Sequence, residues 1–300
     1  MKQSFFWLII SILTIYSCKK YKDIEFENTF KESSIRHPNL SEKSNNEDPY
    51  VIWEAESQPI NTLPPAVFYA PHQDDETIGM GASIAEHVRL GHPVYIVLLT
   101  NGANGDMLKY LKNINPNATM QSVIDARNNE FLAACIALGV SKVYIANYSE
   151  GFDESLAKHE LEQKFENTIH FMSKLYPTAS HKTVSGNCDS FNNNCHKMPT
   201  HQAATNALHK LFTKGEIKEA RLYRVYVYYN NSNYCDRACS WIKPVNKNDK
   251  KQRQLAINQY KIVDPSLNRY GLAYHCSVQQ LFDNSYKSDK EFVDFIENDY

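Results

Sequence analysis

The sequence predicts an α/β domain of Rossmann-like type, a three-layer sandwich with a mostly parallel sheet, and three observations lead there. From residue 67 onward, short apolar runs alternate with helix-length segments, the repeat that βαβ units produce. The run Val94-Tyr95-Ile96-Val97-Leu98-Leu99 is continuously apolar, as a strand covered on both faces requires. Across 300 residues no Gly/Pro/Ser-rich linker divides the chain, and an apolar content of 42% is enough for one sizeable core.

The elements follow in order. Met1-Lys2 and the apolar stretch from Phe5 to Ile15 read as an export signal over 1–17, because that stretch is too short for a membrane span. Ser17-Cys18 resembles a lipoprotein cleavage site with Cys18 lipidated; an ordinary secretory signal and an uncleaved anchor are the alternatives. All three put the domain outside the cytoplasm, on a periplasmic or extracellular face, with membrane attachment through Cys18 in the first. Residues 18–60 are polar and read as a tether and lead-in, leaving 61–300 as a single domain. Within it the patterning predicts a strand at Val67–Tyr69 and a helix over Thr77–Leu90. The strand Val94–Leu99 follows, with a loop over Thr100–Asp106. A helix over Gln121–Leu138 is capped by Gly139, and a strand at Val143–Ala146 comes next. The helix Glu154–Leu175 is stopped by Pro177, a short strand lies near Thr183-Val184, and an Asn/Cys/His-rich loop leads to a helix over His201–Phe212. A strand over Arg221–Tyr229 and a helix over Lys251–Tyr260 complete the pattern. Residues 261–300 give no clear assignment beyond a short helix at Glu291–Ile296.

Composition narrows the function classes. The formal charge is −2 with Lys and Arg scattered, so no phosphate-tracking groove is expected and nucleic acid is not a predicted partner. Cys188/Cys195 and Cys235/Cys239 are close pairs in polar sequence, suited to local disulfides in an oxidising compartment; zinc binding by the four thiols is the alternative. Cys135, among apolar neighbours, reads as a buried thiol. The Tyr-rich stretch Tyr223 to Tyr234 reads chiefly as a core strand, with Tyr229 and Tyr234 as candidates for stacking on a sugar.

The residues that point to chemistry are Pro71-His72-Gln73-Asp74-Asp75-Glu76, directly after the first predicted strand. Adjacent carboxylates repel one another and gain from a cation beside them. The end of a parallel strand is also where open α/β sheets place their chemistry. A divalent metal is therefore the first hypothesis, and a salt-bridged loop end the plain one. A third ligand must come from afar. His181, His196, His201 and His209 are available, and His201 stands at a helix start on the same sheet edge. Two imidazoles and a carboxylate suit Zn2+ with a position left for water; Fe2+ accepts the same set. A second carboxylate would take the proton of the attacking water. Spacing alone does not say whether Asp74 or Asp75 ligates.

The segment Tyr69 to Gly81 resembles the signature of the LmbE-like, or PIG-L, family of zinc-dependent de-N-acetylases. Support comes from Val97-Leu98-Leu99-Thr100-Asn101-Gly102, from Arg127-Asn128-Asn129-Glu130 followed by Leu138-Gly139-Val140, and from Pro199-Thr200-His201. Lys251, Ala256 and Tyr260 resemble a late helix of the family, so the likeness spans roughly 65–262. The resemblance implies His72, Asp75 and His201 as metal ligands and Asp74 as general base. It implies Arg127, and more loosely Glu150, as substrate contacts, with Glu76 supporting the loop. The implied reaction is hydrolysis of the N-acetyl group of an acetamido sugar, glycan or glycolipid. Two departures stand out: Gln73 replaces a usual Pro, and Met198 replaces a histidine of the distal motif. A thioether cannot donate a proton, which makes His196, or a tyrosine, a candidate to serve instead. It also leaves a catalytically weak metal- and carbohydrate-binding protein as the alternative reading. A nucleotide-binding Rossmann domain is disfavoured, because the loop after the first strand carries acids where a Gly-rich anion cradle would be needed.

Overall fold

The computed structural model describes residues 49–56, 63–149, 154–186, 189–191, 194–196, 199–225 and 240–294. All of them fall within one compact unit, His37–Tyr300. The strands are β1 (Tyr50–Glu54), β2 (Ala66–Ala70), β3 (Val94–Thr100), β4 (Lys142–Tyr148), β5 (Ser180–Val184), β6 (Asp189–Phe191), β7 (Asn194–His196), β8 (Ala220–Arg224), β9 (Ser240–Pro244), β10 (Val263–Asp264), β11 (Arg269–Tyr270) and β12 (Lys290–Asp294). The helices are α1 (Asp75–Ile78), α2 (Gly81–Leu90), α3 (Gly105–Ile114), α4 (Met120–Leu138), α5 (Glu154–Leu175), α6 (Pro199–Thr213), α7 (Lys247–Gln259) and α8 (Gln279–Lys287).

The main sheet runs β1-β4-β3-β2-β5-β8-β12-β9. Its centre, β4-β3-β2-β5-β8, is parallel, and β1, β12 and β9 extend it by antiparallel pairing. The alternation along β2 explains the layers. Ala66, Phe68 and Ala70 enter a core shared with α2, α4, α7 and α8, whereas Val67 and Tyr69 enter one shared with α5 and α6. Every residue of β2 and β3 is buried, as their unbroken apolar runs predict. From β2 the chain moves to β3 and β4 on one side and later to β5 and β8 on the other. The strand order therefore reverses at the carboxyl ends of β2 and β5, where a crevice opens.

Four expectations are corrected. Part of the expected lead-in forms β1, whose Tyr50 and Trp53 pack on the first core. The helix expected over Thr77–Leu90 is two, α1 and α2, broken at Gly79-Met80. The loop expected over 100–106 already begins α3 at Gly105, where Asn104 caps the helix by accepting from the Asp106 N–H. The helix expected at Glu291–Ile296 is instead strand β12, because pairing with β8 and β9 on both sides overrides local propensity. Cys135 is buried as expected. Tyr223 is a buried residue of β8, while Cys18, Cys188, Cys235, Cys239, Tyr229 and Tyr234 lie outside the described residues. Among the described residues no helix is long and apolar enough to cross a membrane.

Candidate metal centre and active site

The crevice is where the acidic motif lands. His72 leaves β2 at its carboxyl end, and its backbone N–H donates to Asp75 Oδ2 at 2.9 Å, folding the loop back on itself. His201 arrives from the other side of the switch point, in the first turn of α6, which opens on Pro199 at a position where a missing N–H costs nothing. The approach depends on Gly186. A Cβ there would lie 2.4 Å from the Gln202 backbone nitrogen and 2.7 Å from the His201 carbonyl carbon. The Gly186 N–H also donates to Thr205 Oγ1 at 2.8 Å.

Three atoms meet as a result. His72 Nδ1 is 3.2 Å from Asp75 Oδ2 and 3.2 Å from His201 Nε2, and His201 Nε2 is 3.1 Å from Asp75 Oδ2. Hydrogen bonds cannot satisfy this triangle. Each ring nitrogen carries at most one proton, and two protons cover two edges at best. A cation serves all three at once. Ligands about 2.0–2.1 Å from a tetrahedral metal lie roughly 3.3 Å from one another, so the observed edges fit one face of such a site. Among the described residues this is the group of His, Cys, Asp and Glu side chains able to hold a metal.

The two aspartates, equivalent by spacing, differ in the structure. Burial would raise the Asp75 carboxyl, but the His201 and His72 imidazoles outweigh it and hold the group well below the usual range. Asp74 is pushed up to about 7, chiefly by burial and then by repulsion from Asp75, with Arg127, His72 and His201 opposing. Its backbone adopts φ 142°, a region that side chains other than glycine avoid. The surroundings over-determine that conformation. The Asp74 N–H donates to Glu76 Oε2 at 3.0 Å, and its carbonyl accepts from the N–H groups of Thr77 and Ile78. Glu76, fully buried and pushed up to about 8 by desolvation, also accepts from Tyr260 Oη at 2.8 Å and from Thr77 Oγ1. It supports the loop and does not line the cavity, as expected.

Arg127 is neither a surface ion pair nor an idle charge. It is buried on α4 and donates to the carbonyls of Gly102 at 2.6 Å and Gln73 at 2.7 Å, and to Asp74 Oδ2 at 3.3 Å. Gly102, at φ 56°, has no room for a Cβ, which would sit 2.2 Å from both Arg127 Nη1 and Gln73 Oε1. Gln73, in place of the usual Pro, ties the loop sideways through the Asn101 carbonyl and Asn128 Oδ1, each at 2.9 Å. Sequence reasoning quoted Asn128 and Glu130 within a motif but gave them no role. Their signal is helical spacing, since Glu130 stands three residues from Arg127 on one helix face. Glu150 and Met198 lie outside the described residues; His196 lies in β7, paired with Asp189.

His72, Asp74, Asp75, Arg127 and His201 line one cavity of about 210 Å³. Residues 67–212 match the family model described as PIG-L, GlcNAc-PI de-N-acetylase. The fold is similar to that of teicoplanin deacetylase Orf2 in its zinc-inhibited form, at 15% identity and TM-score 0.54, over 76% of this chain and 96% of that one. It is also similar to GalB, the 4-carboxy-2-hydroxymuconate hydratase of Pseudomonas putida, at 18% identity and TM-score 0.51, over 79% of this chain and 98% of that one. No curated protein matches the chain.

Proposed function

We propose that this chain, which belongs to the PIG-L family over residues 67–212, is a metal-dependent de-N-acetylase acting on an acetamido sugar or its conjugate. The fold alone does not carry the proposal, since the same scaffold serves a hydratase. The observation that carries it is the triangle of His72 Nδ1, Asp75 Oδ2 and His201 Nε2, with a second carboxylate, that of Asp74, lining the same cavity.

His72, Asp75 and His201 would hold the ion, Zn2+ or Fe2+. When bound, such an ion supplies Lewis acidity toward an amide carbonyl and toward water. Asp74 accepts the proton of the attacking water, for which a group poised near neutrality is suited. Water adds to the acetyl carbon, the C–N bond breaks, and Asp74 can return its proton to the departing amine. Acetate and a free amino sugar result. Glu76 does not meet the substrate in this scheme; with Arg127 it keeps Asp74 in a backbone conformation it would not otherwise hold, and Arg127, which lines the cavity, is also placed to contact substrate. Export, with lipidation at Cys18, is the location we propose, on the strength of the N-terminal sequence.

The test is acetate release from N-acetylglucosamine conjugates by protein loaded with Zn2+ or Fe2+ at one ion per chain. A solved relative is described as zinc inhibited, so excess zinc is avoided. Asp74→Asn should lower turnover about 10²–10⁴-fold while the ion stays bound. Absence of release from every conjugate with the ion tightly held would favour the second reading, a binding protein on this scaffold, which Met198 supports.

A further inference from the structure

The cavity has two unlike kinds of lining. Besides the aspartates and histidines it is lined by Ile78, Met107, Val225, Val278 and Leu281. Ile78, Met107 and Val225 are buried in the protein itself. Val278 and Leu281 are only half-buried, so their apolar surface is left for an occupant. Val225, Val278 and Leu281 also lie outside the segment 67–212 that defines the family match.

This wall is built firmly. The Glu130 carboxylate, fully buried on α4, accepts from the backbone N–H groups of Tyr270, Leu272 and Ala273 at 3.1, 2.9 and 3.4 Å. A π-helical turn, Tyr274–Val278, then swings Val278 and the start of α8 onto the cavity; such turns recur at functional sites. Phe282 locks α8 in place against Tyr260, ring centroids 4.9 Å apart. Two polar side chains of the lining already hold backbone groups. Asn104 caps α3, and Arg127 holds the Gln73 and Gly102 carbonyls. An apolar group seated here would displace water from Val278 and Leu281.

We infer that the substrate carries an alkyl or aryl group next to the amide that is cut, seated against Val278 and Leu281. The inference rests on the amide-hydrolysis reading and adds its specificity. The apolar group is either an aglycone or an acyl chain longer than acetyl, and one experiment separates them. Asp74→Asn protein, in which turnover should be about 10²–10⁴-fold slower, is titrated calorimetrically with methyl and butyl N-acetylglucosaminides, and with N-acetyl and N-pentanoyl forms of the methyl glycoside. The longer member of at least one pair should bind about tenfold tighter, near half of what full burial of three methylenes gives. The pair that responds identifies the source. Adding Val278→Thr and Leu281→Gln together should cut that ratio to below about threefold. Leu281→Ala, with a thermal unfolding midpoint for each variant, covers the case in which the double variant fails to fold.

Ratios near one in both pairs overturn the inference, as does a chain-length preference untouched by the variants. If no glycoside binds, the sugar reading fails separately, and N-methyl- and N-butylacetamide replace the probes. Tighter binding of the butyl compound then supports the wall, and equal binding overturns it.

Discussion

The two sides of the cavity differ in how the chain makes them. The reactive side comes from one short motif plus His201, and polar contacts hold it at fixed geometry: Asp74 alone engages Glu76, Arg127 and two backbone N–H groups. The apolar side is assembled from Ile78 of α1, Met107 of α3, Val225 just beyond β8, a π-helical turn and α8, and its last two elements are held by packing and by one buried carboxylate, Glu130. Chemistry that needs atoms within a few tenths of an ångström is encoded locally, where few torsions intervene. Selectivity for an apolar group tolerates looser placement and can be built from remote segments.

The largest effect that would break this contrast lies at the triangle. His201→Ala removes one corner, and a divalent ion that stays bound in the parent through dialysis should be lost, with apparent affinity lowered at least about a hundredfold. Metal analysis after dialysis checks it. A retained ion would mean that the reactive side is not defined by these three atoms.

Next comes the support beneath it. Burial holds Glu76 protonated in the folded chain up to about pH 8, against an ordinary value of 4.5. A raised acid favours the folded state fully below its unfolded pKa, and that contribution is lost as pH rises through the folded one. Unfolding free energy of the metal-free protein should therefore fall between about pH 4.5 and 8, by on the order of 3–5 kcal/mol from this residue. Glu76→Gln should remove that part of the slope in urea titrations across the range. An unchanged slope would show that another group carries it.

On the apolar side, Glu130→Ala leaves three buried N–H groups without their acceptor and should cost about 2–4 kcal/mol of stability. If the wall is built as described, alkyl preference falls with it, while Glu130→Gln, which keeps one acceptor oxygen, loses less of both. Smallest is Tyr260→Phe, which removes one hydrogen bond to Glu76 and should cost about 1 kcal/mol. This change joins the two sides, since the Tyr260 ring packs on Phe282 while its hydroxyl reaches the reactive loop. A shift in alkyl preference with Tyr260→Phe would show the sides to be coupled.

The same contrast sets what the sequence reveals. Strands β2 and β3 are readable because burial on both faces demands unbroken apolar runs. The motif is readable because its residues are adjacent. The roles proposed for Asp74 and Asp75 come from the family resemblance and not from spacing, which does not register the φ of 142° that Glu76 and Arg127 hold at Asp74. Nor is β12 readable, whose two neighbours in the sheet come from separate parts of the chain, or Val278, placed by a carboxylate 148 positions earlier in the sequence. Long-range pairing leaves no local pattern to read.

The central claim is that His72, Asp75 and His201 together hold one divalent ion beside Asp74. Anomalous scattering at the zinc edge, from crystals of protein loaded with one equivalent of Zn2+, tests it most directly. The account predicts a single strong peak within about 2.0–2.2 Å of His72 Nδ1, Asp75 Oδ2 and His201 Nε2. A peak bonded to other residues, or no peak with the three side chains drawn apart, would contradict it.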